Sequence, residues 1–334
     1  MMTVSGQKTS LSVALVGCGR ISQVHFQTIA KEPRVKLVAV ADTNPRAAKS
    51  AGDAFGLPSF ESMEELLKAA SPDAVILCTP PNTHRALTES ALSAGAHVLC
   101  EKPLTLCVDD ATAMVQAAER AGRHLMMASK FRYVQDIIHA KGMIASGILG
   151  EIIFYENEFC SRVEMKNRWN ASREIGGGGV LIDNGSHSVD IFRYLFGPVQ
   201  TLQATTGKQW QEIPVEDTCH MHLRSADNTI GSIDLSWSIH KEDPYFIHIF
   251  GTAGMLQVGW KGSRYRQSEK MDWVSFGTGY DKFRAVGAQL SNFTDTITGV
   301  GSPLITAEDA IESVRVIQCA YHAAAQNGWH RVAS

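Results

Sequence analysis

Asp183 and His187 stand four residues apart, just after the glycine run Gly176-Gly177-Gly178-Gly179. Residues 181–196 read as a helix, and this spacing puts the carboxylate and the imidazole on one face, one turn apart. A carboxylate beside an imidazole favours the charged ring and makes it a better base. Asp190 and Tyr194 fall on the same face, whereas Leu181, Ser188, Val189, Phe192, Leu195 and Phe196 form another. Other readings of the segment stay open. One is a capped helix with a satisfied histidine. Another is a metal site from Asp183, His187 and Asp190, for which no further ligand has clear spacing. Ser186 and His187 do not make a hydrolase pair, because adjacent helical residues diverge by about 100° and GxSxG is missing. Gly185 inside the helix costs about 1 kcal/mol against alanine, which a neighbouring cofactor ring would explain. His220 and His222 share a strand face, but two histidines are not a zinc site. No metal is expected.

Two further motifs carry chemistry. Gly17-Cys18-Gly19-Arg20-Ile21-Ser22 holds two of the three glycines of GxGxxG between a strand and a helix. The first permits a tight turn, the second lets backbone approach a pyrophosphate, and the helix N-terminus offers free N–H groups to negative charge. Ser22 replaces the third glycine. Asp42 ends the next strand, some 20 residues on, where an acidic side chain accepts from adenosine ribose hydroxyls. It would repel a 2′-phosphate, so NAD is favoured over NADP, with Arg46 nearby weakening the preference. Glu101-Lys102-Pro103 ends a later strand, and Thr79-Pro80-Pro81-Asn82-Thr83-His84 ends the one before it. Ligands bind outside the carboxyl ends of strands in open α/β sheets. Gly17, Gly19, Arg20, Ile21, Asp42, Thr79, Pro80, Asn82, His84, Glu101 and Lys102 are therefore the candidate cofactor contacts. Lys102 beside a nicotinamide could hydrogen-bond a reacting oxygen, and partial burial would bring its pKa down.

These residues need a scaffold. LSVALV (11–16), VKLVAVAD (35–42), AVILCT (74–79), HVLCE (97–101) and HLMMAS (124–129) are short apolar runs that alternate with helical stretches at 21–31, 45–55, 61–70, 83–94 and 109–121. That alternation implies βαβ units and a parallel sheet. FRYVQDIIHAKGMIASGILG (131–150) reads as a helix ending in a glycine turn. Strands of alternating polarity follow at 151–159, 199–205, 217–224, 229–239, 245–251 and 255–260, the pattern of an antiparallel sheet with one open face. An alanine-rich helix closes the chain at 306–326. The expected organisation is a polar tail (1–10), a dinucleotide-binding α/β domain (11–130) and an α+β domain for substrate binding and oligomerisation (131–334).

Composition narrows the classes. The chain has 334 residues, 31 Lys plus Arg against 34 Asp plus Glu, and 44% hydrophobic residues. Near-neutral charge argues against nucleic acid as a partner. No apolar run reaches the ~18–20 residues that span a bilayer, so no membrane partner is expected. Seven cysteines, odd in number and without a CxxC pair, speak for a reducing compartment. The polar start lacks a signal-peptide core, so the expected location is the cytoplasm.

The motifs in this order resemble the glucose–fructose oxidoreductase and inositol dehydrogenase (Gfo/Idh/MocA) family. The resemblance rests on GCGRIS, AD at 41–42, TPPNTH, EKP, the 131–152 stretch, GGGVLIDNGSHSVDIFRYLFG, EDT at 216–218 and the closing AEDAIESVRVIQCAYHAAAQNG, and it spans about 11–328. It implies an N-terminal Rossmann domain and a C-terminal α+β domain with a large, mostly antiparallel open sheet, whose face often joins copies into a homodimer or homotetramer. It implies Lys102, Asp183 and His187 as the catalytic set: His187 takes the hydroxyl proton, Asp183 orients the substrate and assists His187, and Lys102 holds the reacting oxygen. It also implies a cis Lys102–Pro103 bond. The substrate expected is a small sugar, inositol or sugar derivative. Its candidate contacts are Lys130, Asn157, Arg168 and Trp169 beside Asp183 and His187, with Tyr155, Glu158, Asn170 and Trp237 as further neighbours. The Arg168-Trp169 order reverses the Trp-Arg pair common among relatives. A non-redox NAD-using sugar lyase or glycosidase, and a non-catalytic NAD(P)-binding regulator, are the alternatives.

Overall fold

The computed structural model describes residues 10–267 and 272–333. The tail expected over 1–10 lies, Ser10 apart, outside the described residues. The chain begins with β1 (Leu11–Val16), α1 (Ser22–Ile29), β2 (Val35–Ala41), α2 (Pro45–Phe55), β3 (Ser59–Phe60), α3 (Met63–Ala70), β4 (Ala74–Leu77), α4 (His84–Ser93), β5 (His97–Glu101), α5 (Val108–Ala121) and β6 (Leu125–Ala128). These strands form a parallel sheet of order β3-β2-β1-β4-β5-β6. Every residue of β4 is buried, as a strand covered by helices on both faces must be. The strand order turns back between β1 and β4, so a crevice opens at their carboxyl ends. The Gly17 turn, Thr79 and Lys102 all sit along that edge.

The second half supplies α6 (Gln135–Ala145), β7 (Ile152–Cys160), α7 (Arg173–Gly176), α8 (Val180–Phe196), β8 (Val199–Thr206), β9 (Thr218–Ser225), β10 (Ile230–Ser236), β11 (Tyr245–Gly251), β12 (Gly254–Gly259), β13 (Ser263–Gln267), β14 (Val274–Gly277), α9 (Lys282–Thr298), α10 (Ala307–Gln326) and β15 (His330–Arg331). Among the described residues the strands form one sheet, β14-β13-β12-β11-β7-β10-β9-β8-β15, antiparallel except between β7 and β10. Its inner face packs on α8. Tyr155 on β7 meets the rings of Phe192 and Phe196 at 5.5 and 5.3 Å. Cys219, Met221 and Leu223 of β9 point inward, while His220 and His222 stay on the outer face. The predicted alternation is thus realised as burial.

Two expectations change. The helix read over 131–150 is split: a 3₁₀ turn (Lys130–Tyr133) precedes α6, with Val134 extended between them. The split serves an ion pair. Arg132, 3% exposed, donates through Nε to Asp190 at 2.9 Å and through Nη1 to Asp309 at 2.8 Å, and Ser129 Oγ donates to Asp190 at 2.6 Å. The structure also adds α9, which Asp281 caps and whose buried side carries Ala285, Val286, Gln289, Leu290 and Phe293 at helical spacing. Among the described residues, no helix is long and apolar enough to cross a membrane.

Candidate active site

The nucleotide end is made mostly of backbone. Gly17 has φ +93°, and a Cβ there would stand 2.7 Å from the Cys78 carbonyl carbon and oxygen. Only glycine fits the turn against β4. Gly19 differs: nothing lies within 4 Å of where its Cβ would be, so its backbone is left open to a ligand. Asp42 accepts from the Cys18 N–H at 2.7 Å and from the Asn44 N–H at 2.8 Å, which ties it to the turn. Burial and the Asp42 charge push the Cys18 thiol up to about 12, so it stays neutral. Gly17, Gly19, Asp42, Thr79 and Pro80 line a cavity of about 580 Å³. Open glycine backbone at one end and a carboxylate with spare acceptor capacity at the other fit a dinucleotide. Arg20 and Asn82 are exposed and do not line this cavity.

A second cavity, of about 650 Å³, shares Cys78, Thr79 and Trp169 with the first. Ile21, Glu101, Lys102, Lys130, Asp183 and His187 line it. The Lys102–Pro103 bond is cis, as expected. Lys102 Nζ donates to Asp183 Oδ1 at 2.5 Å and to the Asp183 carbonyl at 2.9 Å. Asn170 Nδ2 donates to the other carboxylate oxygen at 3.0 Å. Burial pushes the Asp183 carboxyl up, but the Lys102 charge and hydrogen bond outweigh it and hold it below the usual range. Glu101, 2.9 Å from His25 Nε2, is likewise held down: His25, Lys130 and Lys102 together outweigh burial.

His187 faces a different neighbour from the one its spacing suggested. Its Nε2 lies 2.9 Å from Lys130 Nζ. Burial first, then the Lys130 and Lys102 charges, pushes the ring well below its usual pKa. The expected Asp183–His187 assistance is therefore corrected: Lys102 and Asn170 occupy Asp183, and the imidazole is held neutral rather than charged. Asp190 belongs to the Arg132 clamp and not to the reacting face, which removes it from any shared ligand set. Among the described residues no cluster of three His, Cys, Asp or Glu could hold a metal.

The glycine run is a packing device. A Cβ on Gly179 would fall 1.9 Å from the Glu216 carbonyl oxygen, and one on Gly178 would fall 1.8 Å from the Tyr321 hydroxyl. Glu216 Oε1 accepts from the Gly179 N–H at 2.8 Å, the Leu181 N–H at 3.2 Å and the Tyr321 hydroxyl at 2.7 Å. This carboxylate answers the open N–H groups at the start of α8. Gly185 also has a packing cause: its Cβ would meet Leu235 and Leu181 side chains at 3.1 and 3.3 Å. The cofactor-ring explanation is not needed.

Other assignments are also corrected. His84 is fully buried, with Nε2 2.9 Å from the Thr79 carbonyl and Nδ1 3.1 Å from those of Pro103 and Leu104. It fastens two strand-end loops together and lines neither of the two cavities. Asn157, 1% exposed, donates to the Phe246 carbonyl at 2.8 Å within the sheet. Tyr155 and Trp237 are core residues, and Glu158 pairs with Lys241. Arg168 lies outside both cavity walls, whereas Trp169 lines both. Phe131, Trp260, Tyr280 and Lys282 also line the second cavity, and the motifs in the sequence do not point to them. The cap at Asp281 was the signal available for the last two.

Comparison with known proteins agrees with this architecture. A model of an oxidoreductase family with an NAD-binding Rossmann fold matches residues 11–129, and the GFO/IDH/MocA C-terminal domain matches 137–257. The rhizopine catabolism protein MocA of Rhizobium meliloti is 28% identical over 319 residues, covering 93% of this chain and 94% of that protein. A D-apiose dehydrogenase of Rhizobium rhizogenes is 27% identical over 336 residues, covering 95% and 96%. Among solved structures, the WlbA dehydrogenase of Bordetella pertussis, in complex with NADH and UDP-GlcNAcA, is 26% identical with a TM-score of 0.84, covering 97% of this chain and 99% of that one.

Proposed function

The chain belongs to the Gfo/Idh/MocA oxidoreductase family, and we propose that it moves a hydride between a secondary hydroxyl or ketone carbon of a sugar, inositol or sugar derivative and NAD. The observation that carries this reading is the join between the two cavities at Cys78, Thr79 and Trp169. A nucleotide lying on Gly17, Gly19 and Asp42 has its reactive end directed to Lys102, Asp183 and His187.

Bound nicotinamide supplies the hydride acceptor or donor. The chain's own residues handle the oxygen and its proton. Lys102, fixed by Asp183, is a positive donor for the reacting oxygen and favours the charge that develops on it. Asn170 keeps Asp183 turned toward Lys102. His187 is neutral, so it can accept the hydroxyl proton in oxidation and return it in reduction. Asp42 accepts from the adenosine ribose and disfavours a 2′-phosphate, which supports NAD over NADP. Trp169, Trp260 and Tyr280 offer apolar faces to a small polyhydroxylated ring. The outer face of the large sheet, where the rings of Phe154 and Phe250 stack at 6.4 Å, supports a homodimer or homotetramer formed through that sheet.

The test mixes purified protein with NAD or NADP and a panel of inositols, aldoses, sugar derivatives and the matching ketones, following the reduced-nicotinamide absorbance. Turnover of one pair with NAD is the expected result. No change with any polyol, any ketone and either dinucleotide overturns the reading. Loss of a leaving group without net reduction replaces it with a lyase or glycosidase.

A further inference from the structure

Resting on that reading, we propose that Lys130 completes the acid–base machinery: the proton exchanged with the substrate oxygen is held by the Lys130–His187 pair and not by His187 alone. The geometry comes first. Nζ and Nε2 are 2.9 Å apart, so one must donate and the other accept. An ammonium against an imidazolium would set N–H against N–H. The pair therefore holds at most one proton beyond its neutral state.

His187 is a weak base by itself. Its Nδ1 is buried without a hydrogen-bond partner, so no carboxylate or carbonyl stands behind the ring to raise its basicity. Phe131 packs edge-on to the ring at 4.9 Å and further excludes water. Lys130 is the stronger base of the two. Loss of hydration lowers its ammonium to about 7, with Lys102 and Lys282 adding repulsion against the attraction of Glu101 and Asp183. Those four groups and His187 act on it most directly, and Cys78, Cys160, Lys241, Asp243 and Tyr280 are further titratable groups of the same cavity wall. A base poised near neutrality suits general acid–base catalysis.

The contact is built in. Arg132 follows Lys130 by two residues, and Asp190 follows His187 by three. Their buried ion pair draws the 3₁₀ turn and α8 together at this point. Lys130 also lines the reacting cavity, so Nζ can reach both the imidazole and the space above it.

In the oxidative direction the substrate O–H bond breaks and an N–H bond forms within the pair. The proton comes to rest on Nζ, the more basic nitrogen. The carbon–hydrogen electron pair leaves as hydride to the nicotinamide dinucleotide. The pair, neutral before the step, ends with one positive charge and later loses its proton to solvent. Reduction runs the same steps backward.

The experiment uses the full-length protein and its Lys130→Met, Lys130→Arg and Lys130→Ala variants. Dinucleotide affinity is measured, and kcat is followed against pH in both directions. Wild-type oxidation should fall as pH drops through about 7. The Met and Arg variants should lose about 10²-fold or more in kcat, lose that limb of the profile, and bind dinucleotide within twofold of wild type. Ethylamine should restore part of the rate of Lys130→Ala. Lys130→Arg keeps the charge but cannot deprotonate in this range. Wild-type kcat with an unchanged limb in that variant overturns the proposal, leaving Lys130 a positioning residue. If the variants fail to fold, an NMR titration of the wild-type His187 ring decides. A ring shift tracking an ionisation near 7 supports the pair, and its absence overturns it. Lack of any wild-type turnover strikes instead at the proposed reaction, and the NMR titration still judges the pair.

Discussion

At the nucleotide end, Gly17, Gly19 and Asp42 come from a single βαβ unit. At the reacting end, Lys102 meets Asp183 across 81 residues and Lys130 meets His187 across 57. The first end offers a ligand the open backbone at Gly19 and one carboxylate. Such an end arises where a strand meets a helix with glycines between. The second end crowds Glu101, Lys102, Lys130, Asp183 and His187 into one cavity wall, where neighbouring cations outweigh burial at Glu101 and Asp183 and add to it at His187. Binding of a dinucleotide can be built locally. A tuned acid–base group needs low hydration and partners from several elements.

The comparison can be broken most directly at His187. His187→Ala should lower turnover by about 10²- to 10⁴-fold while leaving dinucleotide affinity unchanged, because in the proposed reaction the ring handles a proton and not the cofactor. Steady-state rates and a fluorescence titration with NAD measure the two separately. Equal losses of both would mean that the two ends are not distinct. The converse change is Gly17→Val. A side chain at φ +93° and 2.7 Å from the Cys78 carbonyl must displace the turn. Dinucleotide binding should weaken by at least 10-fold, with the fold destabilised by roughly 1–3 kcal/mol from strain.

Asp190→Asn tests what holds the reacting end together. It leaves Arg132 facing fewer negative charges in a buried site, which for broken buried pairs costs about 3–5 kcal/mol. Urea unfolding should register most of that loss, since Asp309 still meets Arg132. A loss below about 1 kcal/mol would remove the clamp from the argument.

The smallest effects are in pH. Lys130 falls from 10.5 to about 7 on folding. Between these values the unfolded chain binds more protons, so stability rises with pH through this window and is reduced at and below 7. Lys130→Met should therefore be more stable than wild type at pH 7 in urea and gain less between pH 7 and 9. Asp183 acts in the opposite range: its folded pKa is depressed, so its contribution is present above the unfolded value and is lost as pH falls through the folded one. Acid unfolding should be less steep in Asp183→Asn. An unchanged acid limb would mean that Lys102 does not stabilise the carboxylate.

Much of the scaffold was legible because short-range physics sets it. Buried parallel strands appear as apolar runs, as in β4 and β5, and the glycine turn after β1 marks itself. The alternation in β9 declares which face is wet. The errors share a cause. His84 sits at a strand end where ligand-facing residues belong, yet its ring turns inward to three carbonyls. Asn157 shares the buried face of β7 with Phe159, which lines the cavity, but its amide is taken up by the Phe246 carbonyl of the neighbouring strand. Glu216 was visible only as part of EDT, because a carboxylate capping a helix 37 residues away leaves no local pattern.

The sequence by itself determined the order of strands and helices, the dinucleotide turn with Asp42, and the helical spacing that puts Asp183 and His187 on one face. Those follow from backbone sterics and hydrophobic period, which act over a few residues. Tertiary structure alone decided which partners those side chains take: Lys102 and Asn170 for Asp183, Lys130 for His187, Arg132 for Asp190. A hydrogen bond is settled over tenths of an ångström and a pKa by everything within a few ångströms. Neither quantity exists until distant segments are packed together.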